Sequence, residues 1–163
     1  MAGYTIRRAT AADARFLADM LVEAANWNEA APRPRVAVLE DVEIARYISG
    51  WRRPGDIGAV AVDELGGPIG GVWARVFAPD AAGSGFVATG VPEVTLGVNR
   101  QWRAQGIGRD LLHAIASLAR EAGHTRLSLS VDRRNFAYRL YTSEGYQTVA
   151  SGDRADVMVR ALH

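Results

Sequence analysis

The sequence predicts an α/β (α+β) chain in which six to seven strands are interleaved with about four helices. Two observations carry that prediction. Short stretches in which apolar and polar residues alternate recur along the chain, as half-buried strands require. At residues 106–108 the period changes abruptly: Ile107, Leu111, Ile115, Leu118 and Ala122 recur at helical spacing, with Leu112 and Ala119 widening the apolar stripe. The length of 163 residues is that of one domain, 1–163, long enough to bury roughly 70% of its unfolded surface.

In chain order, Tyr4 to Arg8 reads as the first strand. Thr10 to Asp13 has the pattern of a capping box, and Phe16, Leu17, Met20, Leu21 and Ala24 continue as a helical stripe to about residue 25. A loop with prolines at 32 and 34 follows. A second helix is expected from about Val38 to Trp51, with Val38, Val42, Ile44, Tyr47, Ile48 and Trp51 available for packing. Residues 58–63 and 69–77 read as two strands joined by a hairpin at Leu65–Pro68. Residues 79–91, rich in Ala, Gly and Ser, form a long loop, and such loops in compact domains are usually functional or disordered.

Val94, Leu96 and Val98 then alternate with Glu93, Thr95 and Gly97 as a central strand. It runs through an Arg- and Gly-containing loop into the helix of 107–122, and Gly123 stands where a left-handed cap is needed. Arg126 to Val131 alternates as a strand; Asp132 to Asn135 opens a helix that carries Ala137, Leu140 and Tyr141 and ends at Gly145. Residues 146–149 and 155–160 close the chain as a strand pair turning at 151–153.

Composition removes several function classes. The formal charge of +1 is too balanced to suggest nucleic acid. There is no cysteine, so no disulfide framework, thiol nucleophile or Cys-ligated zinc is expected, and three scattered histidines have no metal-ligand spacing. No apolar run has membrane length and no apolar signal core stands at the start, which makes a cytoplasmic protein without a membrane partner the expectation. All basic residues are Arg; with no Lys, a P-loop nucleotidase is excluded. The third glycine of a dinucleotide fingerprint is missing after Gly106 and Gly108.

The strand-to-helix junction has a direct chemical use. The first amides of a helix lack internal partners and sit at the positive end of its dipole, so glycines there let an anion approach the backbone. Arg103 and Arg109 flank the turn and can add charge-assisted hydrogen bonds. Gly106 and Gly108 are read either as such an anion cradle or as an ordinary tight start to a helix.

Arg103, Ala104, Gln105, Gly106, Ile107 and Gly108, following a strand, resemble the (Gln/Arg)-x-x-Gly-x-(Gly/Ala) signature of the GNAT superfamily of acyl-CoA-dependent N-acyltransferases. A second segment, with Asn135, Ala137, Leu140, Tyr141, Gly145 and Tyr146, resembles the family's Asn…Ala…Leu-Tyr…Gly-Tyr run, in the expected order. The resemblance implies a mixed, mostly antiparallel central sheet with helices on both faces. It implies acetyl-CoA as acyl-donor co-substrate, held at Leu96, Gly97, Val98 and 103–109, with Asn135 on the pantetheine arm and no metal. It also implies an amine acceptor lying between the first two helices, where Trp27, Glu29, Tyr47 and Trp51 are available; the aromatics among them also read as core or helix-packing residues. The loop of 79–91 would be a mobile flap beside that acceptor. Many family members are dimers, which leaves a homodimer open.

In the family reaction the amine must first be neutral. A lysine-like amine, pKa about 10.4, costs about 4–5 kcal/mol to deprotonate at neutral pH, whereas an α-amine costs about 1 kcal/mol. A general base therefore matters most for the first class. Glu93 is the candidate base, because several family members carry a glutamate on this strand; the same residue also reads as a solvated strand-end carboxylate. Backbone N–H groups around Leu96 to Val98 are candidates for the oxyanion, with Gly97 marking a bulge or a close ligand approach. Tyr141 matches the family's general acid. Without Cys or a serine elbow, no covalent enzyme intermediate is expected. The alternative is a non-catalytic acyl-CoA-binding sensor or partner-binding module on the same fold.

Overall fold

Alternation and helical stripes are realised element by element in the computed structural model, which describes residues 3–28 and 30–163. Seven strands are β1 (Tyr4–Arg8), β2 (Ile57–Asp63), β3 (Pro68–Arg75), β4 (Glu93–Val98), β5 (Arg126–Asp132), β6 (Gln147–Ser151) and β7 (Ala155–Ala161). The helices are α1 (Ala14–Ala25), α2 (Arg35–Glu40), α3 (Val42–Ala45), α4 (Ile107–Glu121) and α5 (Ala137–Ser143). The strands form one sheet in the order β1-β2-β3-β4-β5-β7-β6, antiparallel throughout except where β4 and β5 run parallel. No helix among the described residues is long and apolar enough to cross a membrane.

The pleat sorts β4 and β5 between two cores. Val94, Leu127, Leu129 and Val131 face α4, where Ile107, Leu111, Leu112 and Ile115 are sealed from solvent. Each such side chain contributes about 1.5–3 kcal/mol by burial. On the other face, Leu17, Met20 and Leu21 of α1 pack with Val60 and Trp73. Glu93, Thr95 and Gly97 point to that second face, as do Ser128 and Ser130 on β5.

Two expectations are corrected. The single helix expected over 38–51 is two short helices followed by turns to Gly50. Asp41 breaks it: its ψ of 108° leaves the helical region, and its side chain accepts the Glu43 amide at 3.0 Å, starting α3 afresh. The last helix begins at Ala137 rather than at 132. The Asp132 side chain takes the Arg134 amide at 2.8 Å and Asn135 Oδ1 takes the Ala137 amide at 2.9 Å, so local side-chain bonds hold 133–136 as turns.

Candidate active site

β4 and β5 meet at one register pair, Glu93 with Ser128, beside the Ser128 amide that donates to Pro92 O at 3.0 Å. Beyond it the strands part. A cavity of about 830 Å³ lies over the opening, within the usual range for small-molecule sites. Its walls come from α1, β4, the loop before α4, β5 and α5.

The amides along the split follow from the ladder. Asn99 donates its N–H to Ile69 O on β3 at 2.8 Å, so Gly97 and Thr95, two and four residues back, also direct theirs toward β3. Leu96 and Val98 therefore aim their N–H groups at the gap. Gly97 is glycine for another reason than the one expected: a Cβ there would overlap the Met20 carbonyl and come 2.9 Å from its Cβ. The close approach is that of helix α1, and no ligand is needed to account for it.

At the α4 end, Gly106 is the N-cap with φ of 87°, the left-handed region that glycine tolerates, and Ala104 has φ of 62°. A side chain added at Gly108 would press on Leu140 of α5 at 3.0 Å. Arg103, Ala104, Gly106, Ile107, Gly108 and Arg109 all line the cavity; Gln105 does not. Arg103 reaches across to α1, 3.5 Å from Glu23, and its guanidinium lies 5.2 Å from the Phe136 ring. Arg109 instead directs its guanidinium to Glu144 at 2.8 Å, outward along α5. Asp110, a negative charge in the first turn, is held by the Tyr4 hydroxyl.

Asn135 and Tyr141 stand on the opposite wall. Tyr141 is buried, its ring edge-on to Tyr146 at 5.8 Å, and desolvation pushes its phenol well above the ordinary value, so it stays protonated through the neutral range.

Glu93 is not a solvated carboxylate. It is 2% exposed, and Oε1 accepts from the Gly85 amide at 3.0 Å and from Tyr47 Oη at 3.2 Å, while Oε2 has no partner among the described residues. Burial raises its pKa; the hydrogen bonds from the Gly85 amide and the Tyr47 hydroxyl, the dipole of the nearby Gly83 amide and the charge of Arg46 act against that rise. The loop of 79–91 is thus fastened to Glu93 through Gly83–Gly85.

Among the acceptor candidates, Trp27 and Tyr47 line the cavity, and Arg134 packs on the Trp27 ring at 5.6 Å. Trp51 does not line it: its indole donates to Thr10 O at 2.9 Å and packs under α1. Glu29 lies outside the described residues. Sequence reasoning placed the 79–91 loop beside the acceptor without singling out Gly83 and Ser84, and passed over Phe136 between Asn135 and Ala137; all three line the cavity through contacts far along the chain. Among the described residues no cluster of His, Cys, Asp or Glu is arranged to hold a metal.

The sequence profile of the acetyltransferase (GNAT) domain family matches residues 54–148, more than half the chain and spanning both the α4 loop and the Tyr141 segment. The chain belongs to the GNAT acetyltransferase family. Its fold is shared with solved GNAT structures at low identity. The PaiA N-acetyltransferase of Thermoplasma acidophilum, solved with coenzyme A, is 17% identical with a TM-score of 0.70 over 97% of this chain and 98% of that one. A phosphinothricin acetyltransferase from Sinorhizobium meliloti, solved with acetyl-CoA, is 22% identical with a TM-score of 0.69 over 98% and 89% of the two chains. The GNAT domain of S. lividans PAT is 22% identical with a TM-score of 0.71 over 96% and 89%. No curated protein matches this GNAT chain.

Proposed function

We propose that residues 1–163 form one GNAT domain that transfers an acetyl group from acetyl-CoA to a primary amine of a small molecule or peptide by direct attack on the thioester. The observation that carries this reading is that one cavity is lined at once by the glycines opening α4, by the parted edge of β4, and by Glu93 and Tyr141. Solved relatives of the same fold hold coenzyme A or acetyl-CoA, which supports the donor.

The residues present fit that donor. Among the described residues only the Tyr4 hydroxyl, at 3.9 Å, comes near the place of a Gly106 Cβ, and Gly106, Ile107 and Gly108 all line the cavity, which supports a pyrophosphate at the start of α4. Arg103 stands beside them as the charged partner. The Nδ2 group of Asn135 is the donor for a pantetheine carbonyl, since its Oδ1 is committed to Ala137. Bound there, acetyl-CoA supplies an activated acyl carbonyl and a thiolate leaving group.

The chain's own groups then divide the work. Glu93 accepts the amine proton, directly or through water, because it is the buried carboxylate on the acceptor face. The Leu96 and Val98 amides, aimed into the gap, stabilise the developing oxyanion. Tyr141, kept protonated by burial, donates to the departing sulfur. Trp27 and Tyr47 line the acceptor end.

Incubation with acetyl-CoA and a panel of amines, with release of free thiol as readout, tests the reading. Turnover with at least one amine is expected. Tight acyl-CoA binding with no transfer to any amine would instead identify a sensor, and no binding at all would remove the reading altogether.

A further inference from the structure

Tyr47 stands where the turn after α3 meets both the 83–85 loop and β4. The residue is held at backbone and ring: its backbone carbonyl accepts from Trp73 Nε1 at 2.7 Å, and its ring lies edge-on to Phe77 at 5.3 Å. Its hydroxyl oxygen accepts the Ser84 amide at 2.8 Å, so the phenolic proton must go to an acceptor. Glu93 Oε1 is 3.2 Å away, and Ser84 Oγ at 3.1 Å can donate in turn. Oε1 thus receives two donors, Tyr47 and Gly85, while Oε2 is buried and receives none among the described residues.

We propose that Tyr47 is a positioning residue for Glu93: it holds one carboxylate oxygen and the 83–85 turn so that the other, Oε2, buried and without a donor of its own among the described residues, is the oxygen left to take the proton relayed from the acceptor amine. The proposal rests on the reading of Glu93 as the base. A carboxylate fixed this way cannot rotate, and proton transfer is directed to a single atom. Gly83 belongs to the same device, because a Cβ there would stand 2.7 Å from Glu93 Oε1, wedged between it and the Tyr47 hydroxyl.

The other groups facing Glu93 are already committed. Arg46 donates to Ala82 O and, at 3.3 Å, to Ala81 O. Arg75, the register neighbour on β3, is bound by Asp56 at 2.8 and 3.1 Å and by the carbonyls of Arg46 and Ser49. On β5 the neighbour is Ser128, which carries no charge. Tyr47 is therefore the titration lever on Glu93 that one hydroxyl deletion can pull.

Tyr47→Phe keeps the ring and removes the proton donor. Donation to a carboxylate favours its charged form, so the variant should hold Glu93 protonated to higher pH. The expected result is an acid limb of kcat/KM moved upward by about one pH unit, the size expected for losing a hydrogen bond to a charged acceptor. A carbon-13 titration of glutamate-labelled protein should show the Glu93 carboxyl moved the same way without any turnover. Gly83→Ala, which spares the tyrosine, should move both readouts in the same direction.

Glu93→Gln separates the two claims. If it abolishes the acid limb while Tyr47→Phe and Gly83→Ala leave limb and titration where they were, the positioning role is overturned and Glu93 survives as base. If Glu93→Gln keeps the wild-type limb, the base reading fails and the positioning role fails with it.

Discussion

Glu93 and Ser128 stand opposite each other as the register pair joining β4 to β5, and each carries a buried polar atom, Oε2 and Oγ, with no hydrogen-bond partner among the described residues. Leaving such a group unsatisfied costs about 1–3 kcal/mol, so a fold keeps it where a ligand or water has a use for it. The pair marks the root of the split into which the Leu96 and Val98 amides point. Chemistry is concentrated there because the sheet stops pairing there.

Gly97 is held to glycine by α1 rather than by substrate. Gly97→Ala would force the new methyl against the Met20 carbonyl. Overpacking of this kind costs about 1–3 kcal/mol, so the urea midpoint should fall by that cost divided by the m-value, with the m-value itself unchanged. A midpoint equal to wild type, with coenzyme affinity lost instead, would return Gly97 to the ligand.

Arg103 bridges Glu23 and the Phe136 ring across the cavity. Arg103→Ala should raise the Kd for coenzyme A roughly tenfold, the size of one lost hydrogen bond to a charged group. Glu23→Gln, which weakens the competing carboxylate, should lower it. Calorimetry on both variants checks the pair; an unchanged Kd for Arg103→Ala would place the pyrophosphate on backbone amides alone.

Tyr141→Phe should lower kcat on the order of 10²-fold, the usual size of a general-acid contribution, and leave coenzyme A affinity unchanged. Slowed turnover with normal binding is the expected pattern. Normal turnover would assign the tyrosine to packing against Tyr146.

Glu93 also has a signature in stability. Its folded-state pKa is raised, so the folded protein holds that proton more tightly than the unfolded chain does. The stability it contributes is fully present below its unfolded pKa and is lost as pH rises through the raised value. Glu93→Gln keeps the shape without the charge, so its Tm relative to wild type should climb with pH across that window. A constant offset from acid to alkaline conditions would mean that folding leaves the Glu93 pKa where it is in the unfolded chain.

The α4 loop and the Tyr141 segment were legible because their chemistry is local. A glycine at positive φ, a strand feeding a helix N-terminus and a tyrosine on an apolar stripe are decided by a handful of neighbouring residues. Alternation likewise placed the seven strands to within a few residues. The break at Asp41 was not legible, since the stripe of 38–51 continues past a residue whose side chain captures the next amide.

By itself, the sequence determined which face of β4 each side chain takes and which loop opens α4, since both follow from periodicity and from glycine. Only the tertiary structure decided what lies across from those faces: α1 against Gly97, Glu144 against Arg109, and Tyr47 with Gly85 against Glu93. Burial and hydrogen bonding depend on partners far away along the chain, and they turned a strand-end carboxylate into a buried, polarised group. Local pattern carries no record of such partners.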